Sequence, residues 1–185
     1  MKVFQIGFNK CATLSLHEFF KKNGHKSVHW DDGKWNSIFH SNHIKLKPLC
    51  DGHDDVIFWS DLTYLQRHFE TFAIQYPDAK FIYNTRPLDD WIKSRHSHYS
   101  KLDKQKIWID QFKLDQRKIN LEQYWRSEVA IYEHRLFEYF SGIHSNRLLI
   151  FDIMKDKGSK ISNFLPELKF NDLDFPYIHK TNHKK

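Results

Sequence analysis

Lys10, Thr13 and Ser15 fall within six consecutive positions, directly after a short apolar run, and that combination suits the binding of a phosphate or sulfate group. The run Val3-Phe4-Gln5-Ile6-Gly7-Phe8 reads as a buried strand. Thr13 to Lys22 carries Leu14, Leu16, Phe19 and Phe20 at helical spacing, with Gly24 as a stop signal. A loop between a strand and a helix offers free backbone N–H groups at the positive end of the helix dipole, where an anion is favoured. In Gly7-Phe8-Asn9-Lys10-Cys11-Ala12-Thr13-Leu14-Ser15, Gly7 permits a tight exit, Lys10 supplies a mobile cation, and Thr13 and Ser15 supply hydroxyl donors. No Gly-Lys-Ser/Thr closes this loop, and its lysine precedes the threonine by three residues, so it is not a Walker A loop. A kinase or ATPase that holds magnesium through that hydroxyl is disfavoured. Loops of this kind also occur as plain surface connections, so the anion reading needs a second element.

The elements that must position the loop alternate along the chain. Ser27 to Trp30 and Asp55 to Trp59 read as strands, with Asp31-Asp32-Gly33 a turn and Leu62 to Gln75 a helix. Lys80 to Thr85 is the clearest strand, and helices follow at Leu88 to Ser100, Lys104 to Lys118 and Leu121 to Phe140. In the last of these Leu121, Tyr124, Trp125, Val129, Tyr132, Leu136 and Phe140 form an apolar stripe suited to core packing. Leu148 to Phe151 is a final strand, with Ser159 to Phe164 a short helix after it, while Trp35 to His53 yields no readable element. This order predicts an α/β fold: one domain over residues 1–185, built on a parallel sheet with helices on both faces. Ligands of such sheets bind beyond the carboxyl ends of the strands. The polar clusters Asn9-Lys10, His29-Trp30-Asp31, Ser60-Asp61 and Arg86 all follow predicted strand ends.

Asn9-Lys10-Cys11-Ala12-Thr13-Leu14-Ser15-Leu16 resembles the Pro-Lys-Ser/Cys-Gly-Thr-Thr-Ser-Leu loop of sulfotransferases that use 3'-phosphoadenosine 5'-phosphosulfate (PAPS). Asn9, Ala12 and Leu14 depart from that pattern, the last by removing a hydroxyl and Ala12 by restricting the backbone where glycine is free. The resemblance continues at Arg86 and Ser94, eight residues apart, which match the strand-end arginine and helical serine that clasp the donor's 3'-phosphate in that family. A planar guanidinium suits a phosphate, and a serine two helical turns further on completes the grip. Tyr76 to Ile82, Leu148 to Ile153 with Ile161 to Leu165, and Phe175 to Asn182 are also similar to family segments. The resemblance implies a P-loop NTPase-like sulfotransferase fold. It implies that Asn9 to Ser15 grip the 5'-phosphosulfate, that Lys10 stabilises the bridging oxygen, and that no metal is required.

Sulfuryl transfer also needs a base for the acceptor's proton. Family members use a histidine or carboxylate near the end of the second or third strand, which here offers His29, Asp61 and Asp31. His29 and Asp61 are the preferred pair; a histidine titrates near neutrality, whereas a carboxylate needs burial to raise its pKa. Asp61 also has a structural alternative as the cap of the following helix. His96 and His98 read as lining or surface residues.

The whole composition agrees with an anionic ligand. Net charge is +6, which suits an anionic partner without deciding for one, and 16 Phe, 8 Tyr and 6 Trp exceed what a minimal core needs, leaving rings for a pocket that stacks on a planar ligand. Part of the positive charge sits at the end, in Lys180, Lys184 and Lys185. The two cysteines, Cys11 and Cys50, advertise neither a disulfide framework nor a zinc site. No secretory signal and no apolar stretch of about 18 residues is present, which predicts a cytoplasmic protein with no membrane partner. The alternatives are a P-loop kinase, which lacks its loop, and a nucleic-acid-binding module, which needs a basic stripe with interleaved aromatics where the cations here are scattered. The acceptor is expected to be a small molecule bound by the segments Trp35 to His53 and Lys101 to Asn120.

Overall fold

A computed structural model describes residues 1–99 and 120–178. The chain clusters into two compact units, Met1–Thr85 with Asn146–Lys185, and Arg86–Ser145. The predicted helix at Lys104 to Lys118, the predicted acceptor segment at 101–119 and the terminal lysines lie outside the described residues.

The first unit holds strands β1 (Val3–Gln5), β2 (Ser27–His29), β3 (Phe58–Ser60), β4 (Lys80–Thr85) and β5 (Leu148–Asp152). They form one parallel sheet in the order β2-β3-β1-β4-β5. Parallel strands need long crossovers, which the helices α1 (Thr13–Lys22), α2 (Lys34–Ile44), α3 (Thr63–Arg67) and α4 (Phe69–Gln75) supply in this unit, while α7 (Gly158–Phe164) follows the last strand. After β1 the chain moves outward to β2, and after β4 it moves outward the other way to β5. The boundary between β1 and β4 is thus the switch point of the sheet.

Alternating side chains divide the core between two faces. Val3, Phe58 and Ile82 pack with Leu16, Phe19 and Phe20 of α1 and Ile161 of α7. Phe20 lies flat on Phe58, with ring centroids 3.9 Å apart. On the opposite face Phe4 meets Phe72 of α4 at 5.0 Å, and Phe39 of α2 meets Trp59 at 5.4 Å. This is the α/β parallel-sheet fold that the alternation of elements predicts.

Several boundaries differ from the sequence reading. β1 stops at Gln5, because Ile6 to Phe8 already lead into the loop after a last bond from Ile6 N–H to Ile82 C=O at 2.9 Å. β3 starts at Phe58, after Ile57 has bonded sideways to Lys26 and Val3. The segment from Leu62 to Gln75 is two helices, α3 and α4, broken at His68, whose φ of −121° is not helical. The unread stretch from Trp35 contains α2, whose inward residues Trp35 and Phe39 are buried in the core. Those two rings are therefore not free to line an acceptor pocket.

The second unit contains α5 (Leu88–Tyr99) and α6 (Leu121–Tyr139). Asn120 caps α6 in a reciprocal box with Gln123, its side chain accepting from the Gln123 N–H at 2.7 Å. Trp125, Val129, Tyr132 and Leu136 are buried as the stripe predicts, but Tyr124 is 44 % exposed and stands outside it. The Arg95 guanidinium lies over both the Trp91 and Trp125 rings, 4.9 and 4.8 Å from their centroids, and fixes α5 against α6.

Candidate active site

The loop after β1 is built around close approach and strained backbone. A Cβ on Gly7 would sit 2.2 Å from Asn84 Oδ1 and 2.3 Å from the Asn84 carbonyl oxygen, so only glycine passes there. Lys10 and Ala12 both adopt left-handed backbone, with φ of 65° and 59°. Each costs on the order of 1–2 kcal/mol for an L-residue. Ala12 is the N-cap of α1 and has no side-chain group to bond the first turn, which leaves that turn's amides uncapped by side chain. Thr13 and Ser15 are buried, Lys10, Ala12 and Leu14 are half-buried, and Asn9 is exposed. Cys11 is buried and in no disulfide. The hydroxyl of Ser15 accepts the Ile178 N–H at 3.1 Å, so it anchors the closing segment of the chain as well as standing in the loop.

His29, at the end of β2, turns its ring to this loop. Its Nε2 is 3.3 Å from Thr13 Oγ1 and 3.5 Å from Asp61 Oδ2. Asp61 follows β3 and takes left-handed backbone at φ 56°. It does not cap the helix that follows: the N-cap of α3 is Leu62, without a side-chain bond. Asp31 faces Lys34 Nζ at 3.7 Å and is half-exposed. A residue the sequence reading passed over completes the group. His17, on α1, bonds Ser27 Oγ through Nδ1 at 2.6 Å, and its ring centroid is 5.4 Å from that of His29. Burial pushes His17 down to about 4, with the neighbouring His29 charge adding to the effect. Burial lowers His29 as well, and the Asp61 carboxylate opposes part of that shift. Both imidazoles are therefore neutral at physiological pH, the form that accepts a proton.

Two buried amides beneath the loop were also invisible in the sequence. Gln5 and Asn84, exposed by 1 % and 0 %, close the carboxyl ends of β1 and β4 and bond each other at 2.6 Å. A buried polar pair at a strand end carries the signal of a site, but nothing in the local pattern around either residue marks it.

Arg86 follows β4 directly, and Ser94 lies on α5; both are half-buried. His96 packs edge-on against Trp125 at 4.9 Å.

A model of the sulfotransferase domain matches residues 2–174. The chain belongs to the sulfotransferase family. The sulfotransferase also resembles in fold the crystal structure of a sulfotransferase from Alicyclobacillus acidocaldarius, with a TM-score of 0.59 at 13 % identity over 94 % of this chain and 83 % of that one. No curated protein matches the sequence. The matched segment of this sulfotransferase takes in the loop, His29, Asp61, Arg86 and Ser94 together. Among the described residues no helix is long and apolar enough to cross a membrane, and no group of three or more His, Cys, Asp or Glu side chains is set to hold a metal ion.

Proposed function

We propose that this sulfotransferase moves a sulfuryl group from PAPS to a hydroxyl or amine of a small-molecule acceptor in the cytoplasm, with His29 as the base. The observation that carries the proposal is the placement of His29 Nε2 3.3 Å from Thr13, the first residue of the loop helix. A neutral imidazole beside an anion-binding loop supplies the two functions that sulfuryl transfer asks of a protein. The residues present fit the donor: Gly7 leaves room for close approach, the first turn of α1 has no side-chain cap, and Lys10 adds a cation. When bound, the donor supplies the sulfuryl group.

His29 takes the proton of the acceptor as its oxygen or nitrogen bonds to sulfur. Lys10 balances the negative charge that grows on the bridging oxygen as the sulfur–oxygen bond to the donor phosphate breaks. Asp61 holds the imidazole and steadies its protonated form. The amides from Asn9 to Ser15, with the Thr13 hydroxyl, grip the 5'-phosphosulfate, and Arg86 with Ser94 take the 3'-phosphate. The cytoplasmic assignment rests on the buried thiols of Cys11 and Cys50, neither of which is in a disulfide. One of them, Cys50, is pushed up to about 12 by burial and stays a protonated, unreactive thiol near neutral pH.

The desulfonated product, adenosine 3',5'-bisphosphate, is expected to raise Tm, and Lys10→Ala and Arg86→Ala to abolish the shift. Equal stabilisation by ATP with none by the bisphosphate would overturn the proposal. A screen of acceptors with sulfur-labelled donor then identifies the second substrate.

A further inference from the structure

Gln5 and Asn84 place four hydrogen bonds at the switch point of the sheet, and three of them end on loop backbone. Gln5 Nε2 donates to the Gly7 carbonyl at 2.7 Å and to Asn84 Oδ1 at 2.6 Å. Gln5 Oε1 accepts the Asp61 N–H at 2.8 Å, and Asn84 Nδ2 donates to the Cys11 carbonyl. The orientation of both amides follows from their backbone partners. A backbone N–H can only donate and a carbonyl can only accept, so Gln5 must turn its oxygen to Asp61 and its nitrogen to Gly7. By the same rule Asn84 turns its nitrogen to Cys11, which leaves its oxygen for Gln5. Flipping either amide would break the set.

The backbone held in this way is strained. Cys11 lies between Lys10 and Ala12, both left-handed, and Asp61 is itself left-handed. Such conformations persist only where surrounding contacts over-determine them. Apolar side chains at positions 5 and 84 would fill the same space without burying amides, and the sheet itself does not need these bonds.

We infer that Gln5 and Asn84 are positioning residues that hold the donor loop and the segment at Asp61, whose carboxylate steadies the base, in one fixed arrangement, Gln5 by bridging the two and Asn84 by pinning the loop. This rests on the donor and base assignments proposed above. It predicts that removal of the amide bonds weakens donor binding by more than it weakens the fold.

The test measures the dissociation constant for adenosine 3',5'-bisphosphate by calorimetry, alongside Tm without ligand, for the full chain. Gln5→Met keeps the shape and loses all three bonds; affinity is expected to fall about tenfold or more, with Tm within a few degrees of the parent. Asn84→Asp gives a readout that a purely structural role would not move. Its ionised second oxygen faces the Cys11 carbonyl, whereas the protonated acid can donate to it. Its affinity relative to the parent at the same pH is therefore expected to recover as pH falls from 8 towards 5. Unaltered affinity in both variants, or a loss in Asn84→Asp that does not change with pH, overturns the inference while the donor assignment stands. If the parent protein itself fails to bind the bisphosphate, the donor assignment falls and the inference with it. Should Gln5→Met not fold, the pH dependence of Asn84→Asp decides alone.

Discussion

The His29 Nε2 atom lies 3.3 Å from the Thr13 hydroxyl, so the end of the second strand and the start of α1 meet through one hydrogen bond. Asp61 Oδ2 approaches the same nitrogen at 3.5 Å. The proposed base, the carboxylate proposed to steady it and the helix end proposed to bind the donor are thereby held together.

Replacing His29 with Asn is expected to lower kcat by roughly a hundredfold to ten-thousandfold, the usual contribution of a general base. Bisphosphate affinity should stay within about threefold, since the loop is intact. Asp61→Asn should cost less, because it removes only the steadying charge. Initial rates with labelled donor and the acceptor from the screen measure both. A His29 variant with full kcat would exclude it as the base.

The rate should rise with pH along an acid limb. Burial lowers His29 below its ordinary value of 6.5, so the proton-accepting form is present throughout the neutral range and is lost only below it. A kcat profile whose acid limb lies above pH 7 would contradict this assignment.

Stability should fall on mild acidification. His17 has a folded pKa of about 4 against 6.5 when unfolded. Between those values the unfolded chain binds a proton that the folded chain does not, so stability is lost as pH falls through this window. The full effect is up to about 3 kcal/mol, and His29 adds in the same direction. Thermal melts from pH 7.5 to 4.5 should show the decline, and His17→Gln should flatten it.

Gly7 and Gly24 should respond differently to alanine. At Gly7 a Cβ would collide with the Asn84 backbone and side chain, which predicts a loss of about 3 kcal/mol or more. At Gly24, with φ of 81° and nothing within 4 Å, only backbone strain arises, about 1 kcal/mol. Chemical denaturation of the two variants compares them directly.

The parallel stack of Phe20 on Phe58 ties α1, and with it the loop, to the sheet. Phe20→Ala should cost about 3–5 kcal/mol and lower Tm markedly.

Much of this was legible because it is local. The loop between β1 and α1 shows itself through Lys10 and Thr13 at short spacing after an apolar run. The helical stripe from Leu14 to Phe20 and the apolar strand Lys80 to Thr85 show themselves in the same way. The helix at Lys34–Ile44 was not legible, since only Trp35 and Phe39 of its residues are buried and the inward face carries too little pattern. The break at His68 depends on packing and carries no glycine or proline to announce it.

The sequence by itself determined the alternation of strands and helices, and it marked the loop after β1 and the three candidates for the base, because each is a property of neighbouring residues. Proposing His29 ahead of Asp61 and Asp31 drew on the fold, which sets His29 against Thr13 and Asp61 while Asp31 turns to Lys34. The Gln5–Asn84 pair required it even more. These residues are 79 positions apart, and they meet only because β1 and β4 run parallel in a register that pairs Gln5 with Ile82. Side chains distant in the chain become partners through strand order and register, and no local spacing encodes either.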